Sequence, residues 1–170
     1  MKDHVVVCGL GNVGFRVVNA LVDLGEAVVA IERNASSFVE SVEHANIPVI
    51  RGDARRDELL IEAGIERART VVCATDDDLA NLEVAIDARR MNPKIRVVMR
   101  MFDQTFADKV KTSFGIDSVF SASALSAPVF AQAALSNNIL SSFSFGDKLI
   151  NAFQLEIKEG SHFINEKIDD

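Results

Sequence analysis

Three glycines with diagnostic spacing carry the first chemical signal. Gly9, Gly11 and Gly14 follow the apolar run Val5-Val6-Val7-Cys8, with Leu10, Asn12 and Val13 between them, which makes G-x-G-x-x-G. The pattern suits the holding of a diphosphate. The first glycine permits a tight turn, the second lets backbone approach the phosphates, and the third lets a helix pack closely on the preceding strand. A helix opening at Asn12 turns its first N–H groups, and the positive end of its dipole, toward the anion. Glu32 stands directly after the next apolar run. A carboxylate there accepts hydrogen bonds from both hydroxyls of an adenosine ribose and repels a 2′-phosphate, which favours NAD(H) over NADP(H). Arg33 argues the other way, because an arginine beside the acid accommodates such a phosphate.

Further candidates come from where ligands sit in open α/β sheets, at the C-terminal ends of strands near the switch in strand order. Gly52-Asp53-Ala54, Ala74-Thr75-Asp76-Asp77 and Arg100 all fall at such ends. Asp53 suits either the adenine amino group or a turn after Gly52. Asp76 reads as the N-cap of the next helix, with Asp77 and Asp78 in its first turn, and a cap can also face a pocket. Arg100 suits a phosphate or a solvated strand end. Cys8 and Cys73 read as small buried hydrophobes. His4, His44 and His162 share no ligand spacing, so no metal site is expected. No catalytic residue is assigned.

The elements that must position these residues are read from periodicity. Strands are expected over 4–8, 27–31, 47–50, 70–74, 95–100 and 117–120, and helices over 12–24, 35–45, 56–63, 76–91 and 104–114. The near-continuous apolar strands imply a parallel sheet covered on both faces. The fold expected is α/β, a Rossmann-type doubly wound sheet in the order 3-2-1-4-5-6, which puts Pro48 on an edge strand where a proline is tolerated. After Phe120 the chain becomes rich in Ala and Ser, and a helix is expected to begin around Pro128. An alternating strand is expected over 153–157, then a turn at Glu159 and Gly160. A strand so late, with no partner after it, suggests that the sequence stops inside a second small α+β unit. The organisation expected is a nucleotide-binding domain over 1–121, a crossover helix over 122–142, and a linker with the beginning of a C-terminal unit over 143–170.

Composition narrows the partners. A net charge of −7 over 170 residues argues against nucleic acid or an anionic membrane surface. No apolar run reaches the length of a membrane span, and an apolar strand starts where a leader would lie, so the cytoplasm is the expected compartment.

The sequence resembles the TrkA-N or RCK family, the nucleotide-binding regulatory domains of potassium channels and transporters. Several stretches between about His4 and Leu140 carry the resemblance: 6–14, Glu32, 50–54, 62–65 with Ala68, 71–76, 97–100 and 115–117. It implies a domain that dimerises, often assembles into a gating ring, and binds NAD(H), ATP, ADP or AMP. It implies a membrane potassium pore, on the same or another polypeptide, that would hold the domain at the inner face of the membrane. It also makes the segment after Phe120 the crossover helix. One departure bears on the ligand. Some ATP-responsive relatives carry Arg directly after the second glycine, whereas Asn12 stands here, which leaves NAD(H) or AMP ahead. Arg16, one turn on, is a partial substitute.

The competing functions are a fragment of an NAD-dependent oxidoreductase and a scaffold with a permanently bound nucleotide. The first lacks tyrosine for a Tyr-Lys pair, lacks a histidine at a pocket-side strand end, and leaves little chain for a substrate domain. Exchange of the ligand would separate the second from a regulator.

Overall fold

A computed structural model describes residues 1–135, 138–145, 148–154 and 156–160. Six parallel strands form one sheet: β1 (Val5–Cys8), β2 (Val28–Glu32), β3 (Val49–Arg51), β4 (Thr70–Cys73), β5 (Arg96–Met101) and β6 (Ser118–Ser121). Their order is β3-β2-β1-β4-β5-β6, as the sequence predicts. The order reverses at β1, so the crevice between the ends of β1 and β4 is the switch point where such sheets take ligands. Cys8 is in register with Ile31 on one side and Cys73 on the other. Pro48 sits just before β3 at the sheet edge, and its carbonyl accepts from Ala30 N at 2.9 Å.

The helices are α1 (Asn12–Asp23), α2 (Ser37–His44), α3 (Asp57–Glu62), α4 (Asp78–Met91) and α5 (Gln104–Phe114). All four residues of β1 are buried, and they alternate between two cores. Val5 and Val7 pack with Val18 of α1 and with Val39 and Val42 of α2. Val6 and Cys8 face Leu60 of α3, Val84 and Ala88 of α4, and Val110 of α5. Two-sided cover explains why this strand carries no polar residue, and each fully buried aliphatic side chain contributes about 1.5–3 kcal/mol. The Cys8 and Cys73 thiols are free and buried, and burial pushes the Cys8 thiol up to about 12. They behave as small hydrophobes, as expected. His4 is also buried, with Nε2 2.8 Å from the Ala63 carbonyl oxygen.

The end of the sheet is tied by side chains. The Asp78 carboxylate accepts from Phe102 N at 2.9 Å, and the Phe102 carbonyl accepts from the Ser121 and Ser123 hydroxyls at 3.0 and 3.1 Å.

Contacts divide the chain into Met1–Ser123 and Ala124–Asp170. The stretch after β6 departs from the sequence reading in two ways. Helix α6 spans Ala122–Ala133, so Pro128 lies inside it rather than at its start. The Ser121 and Ser123 hydroxyls hold the start of the helix on the Phe102 carbonyl, well before the proline. The late strand is β8 (Lys148–Phe153), not 153–157, and it has an antiparallel partner, β7 (Ile139–Phe145). Alternation alone misplaced the strand because β7 and β8 both expose apolar side chains, Leu140, Phe143, Leu149 and Ile150 among them, and so lack a clean two-residue period. Glu159 and Gly160 do form a turn. Gly146, Leu155 and the chain from 161 onward lie outside the described residues.

Candidate nucleotide site

The ends of β1, β2, β3, β4 and β5 surround one cavity of about 440 Å³, within the range of about 300–1,000 Å³ usual for small-molecule sites. Of the residues singled out from sequence, Gly9, Leu10, Gly11, Asn12, Val13, Glu32, Arg33, Gly52, Asp53, Ala54, Ala74, Thr75, Asp76 and Arg100 all line it. Gly14 does not. It lies behind the loop, where an added Cβ would fall 1.8 Å from the Gly9 carbonyl oxygen. That is the close helix-to-strand packing expected of a third glycine.

The loop geometry follows from the glycines. Gly9 has φ +97°, a region unfavourable to any residue with a Cβ. A Cβ there would also come within 2.9 Å of Thr75 N. Gly11 is the N-cap of α1 and carries no capping side chain, and no acid lies in the first turn of that helix. In α2, α4 and α5 the corresponding caps are the side chains of Ser36, Asp77 and Asp103. The unblocked N-terminus of α1 thus keeps its positive end directed at the cavity.

Opposite the loop stands Glu32, the last residue of β2 rather than the first beyond it. Its Oε2 accepts from Leu10 N at 2.6 Å and its Oε1 from Asn34 N at 2.7 Å. Two backbone amides therefore orient the carboxylate, and each oxygen keeps a lone pair for a further donor.

Asp53 serves the turn that the sequence allowed. Its Oδ1 accepts from Arg55 N at 3.1 Å, and the Arg55 guanidinium grips both oxygens at 2.6–3.2 Å. The Arg55 side chain holds the Asp53 carboxyl down at about 2. Arg33 also faces Asp53, at 3.7 Å.

The N-cap of the helix after β4 falls one residue later than expected. Asp77, not Asp76, is the N-cap, and its Oδ1 accepts from Leu79 N and Ala80 N. Thr75 Oγ1 accepts from Asp77 N at 3.3 Å, forming a small turn that leaves Asp76 facing the cavity. Arg100 is folded inward, its Nη1 donating to the Thr75 carbonyl at 2.7 Å.

Sequence reasoning missed several lining residues, among them Asn34, Ser36, Phe38, Arg55 and Val84. Arg55 had a local signal, since a basic residue two positions after a turn-forming aspartate can close back on it. Val84 had none, because it reaches the wall only through the packing of α4.

The TrkA-N domain model matches residues 5–122. The Trk system potassium uptake protein TrkA homolog of Pyrococcus horikoshii is 33% identical over 119 residues, covering 66% of this chain and 52% of that protein. Among solved structures, the Kef C-terminal domain of Shewanella denitrificans in its AMP-bound form has a TM-score of 0.66 at 26% identity, covering 79% of this chain and 82% of that one. The GsuK channel bound to NAD matches in fold, with a TM-score of 0.60 at 13% identity, over 70% of this chain and 21% of that one. The chain spans about half the length of the Pyrococcus relative. Among the described residues, no helix is long and apolar enough to cross a membrane.

Proposed function

The chain belongs to the TrkA-N domain family, and on that premise we propose that it is a nucleotide-binding regulatory domain of a potassium channel or transporter, with NAD(H) as its ligand. The observation that carries the ligand class is the Glu32 carboxylate, held by two backbone amides across the cavity from an uncapped helix N-terminus. An adenosine ribose diol donates to Glu32 while its phosphates meet the Gly9–Gly14 loop. The ionised Asp53 accepts the adenine amino group, and Arg100 faces the phosphates. Arg33, which would otherwise favour a 2′-phosphate, is drawn toward Asp53. AMP is the next ligand in line, then ADP and ATP, since Asn12 stands where some ATP-responsive relatives carry arginine. The AMP and NAD named for the two solved relatives support the same cavity chemistry.

The domain regulates rather than catalyses. Among the described residues, the titratable groups of the cavity wall besides its arginines are the carboxylates of Glu32, Asp53, Asp76 and Asp77, which suit the holding of a ligand by hydrogen bonds. A ligand acts here by binding one state of the domain more tightly than another. The partner is a membrane potassium pore, on the same or another polypeptide, which would place the domain in the cytoplasm at the inner face of the membrane. A homodimer, and from it a gating ring, fits the apolar side chains that α6 exposes, Leu125 and Phe130. In that organisation 1–121 is the nucleotide-binding domain, 122–142 the crossover, and 143–170 the beginning of a C-terminal unit.

Calorimetric titration with NADH, NADPH, AMP, ADP and ATP tests the ligand. NADH is expected to bind at least about tenfold more tightly than NADPH, a difference of about 1.4 kcal/mol. Equal affinities would remove the ribose clamp from Glu32, and binding of ATP alone would overturn the choice of ligand.

A further inference from the structure

Asn81, in the first turn of α4, is wholly buried yet polar. Its carboxamide makes every hydrogen bond that its geometry allows. Oδ1 accepts from Thr75 N at 3.0 Å and from the Thr75 hydroxyl at 2.7 Å. Nδ2 donates to the Thr75 carbonyl at 3.1 Å and to the Arg100 carbonyl at 3.0 Å. Two donors on one side and two carbonyls on the other fix the amide in a single orientation. One side chain thereby fastens the end of β4 to the end of β5.

Both fastened segments face the phosphate end of the cavity. Thr75 is the residue against which Gly9 rests, its backbone N 2.9 Å from where a Gly9 Cβ would stand. Arg100 donates to the same Thr75 carbonyl that Asn81 holds. Its Nε is buried with no hydrogen-bond partner among the described residues. Thr75 thus sets the floor of the glycine loop, and Arg100 supplies the charge beside it.

We infer that Asn81 is a positioning residue for the diphosphate subsite. It fixes the Thr75 backbone under the glycine loop and the Arg100 guanidinium at its side in one rigid arrangement, without touching the ligand. The inference rests on the cavity binding a nucleotide as proposed above. A buried amide serving only stability would be expected to bridge two elements anywhere in the fold. The half-buried Asn92 makes such a bridge away from the cavity, donating to the Ile65 and Ala68 carbonyls at 3.0 and 2.9 Å.

The test is NADH affinity by calorimetry for the whole chain and for Asn81→Ala, Asn81→Asp, Asn92→Ala and Arg100→Gln, with each Asn81 variant also made on the Arg100→Gln background. Asn81→Asp keeps the volume and the accepting oxygen but sets an acceptor against two carbonyls, and the Arg100→Gln background separates positioning from simple collapse, which would weaken binding equally with and without Arg100. The expected result is binding about tenfold weaker in both Asn81 variants. That loss should shrink on the Arg100→Gln background, because residues acting through one another are not additive. Asn92→Ala should bind like the unaltered chain. Unchanged affinity in the Asn81 variants, or a loss of equal size with and without Arg100, overturns the inference and leaves the proposed function standing. Failure of the unaltered chain to bind NADH, AMP or ADP overturns the proposed function, and the inference falls with it.

Discussion

Three charged side chains are held in set orientations at the cavity. Glu32 is oriented by amides, Arg100 is folded onto the Thr75 carbonyl, and Asp53 is gripped by Arg55. Asp53 gives this scale its own prediction. Its carboxyl is held at about 2, below the ordinary 3.8, by the Arg55 guanidinium. A depressed folded value means that the pair stabilises the fold at pH above about 3.8 and loses that contribution as pH falls through about 2. Asp53→Asn is therefore expected to melt below the unaltered protein at pH 7, by a small margin because the pair is largely exposed. The two melting curves should converge toward pH 2 in scanning calorimetry. A gap that persists unchanged at pH 2 would show that the carboxylate charge contributes nothing.

At the scale of elements, the turn between β1 and α1 is the part that cannot be loosened. The Gly14 position leaves no room for a methyl group, because the obstacle is the Gly9 carbonyl, which is backbone and cannot rotate away. Gly14→Ala is expected to cost at least about 1–3 kcal/mol in urea unfolding. Gly11→Ala, where nothing lies within 4 Å of the added Cβ, should cost less. Equal losses would mean that α1 does not pack as described. This turn was also the most legible element in the sequence. Strand, glycine spacing and helix are adjacent there, so the local pattern and the tertiary role coincide. The same holds for α5, expected and found over Gln104–Phe114, where Asp103 caps the start and Gly115 closes the end at φ +58°. Legibility failed where the deciding contact is remote or unusual. The N-cap of α4 slipped from Asp76 to Asp77 because the Thr75 hydroxyl takes a place in the turn. The start of α6 was misread because a proline inside a helix overrides the rule that prolines begin them. The hairpin of β7 and β8 was misread because its apolar residues are exposed on both strands. Asn81 passed unnoticed because a lone asparagine within a helix carries no periodic signal.

Over the whole molecule, all the cavity-lining residues lie within Met1–Ser123, which holds the complete six-stranded sheet. The remainder, Ala124–Asp170, holds most of α6 and a hairpin that exposes Leu140, Phe143, Leu149 and Ile150. A two-stranded hairpin is marginal by itself in water. The cavity thus belongs wholly to the first of these units, and the proposed function rests on that unit binding a nucleotide. The most direct test is equilibrium binding of NADH and of AMP to the whole chain, freed of carried-over ligand, beside Glu32→Ala. The account predicts saturable binding of NADH that weakens at least about tenfold in the variant, as expected when hydrogen bonds to a charged group are lost. No binding of either ligand to the unaltered chain, or equal binding to the variant, would contradict it.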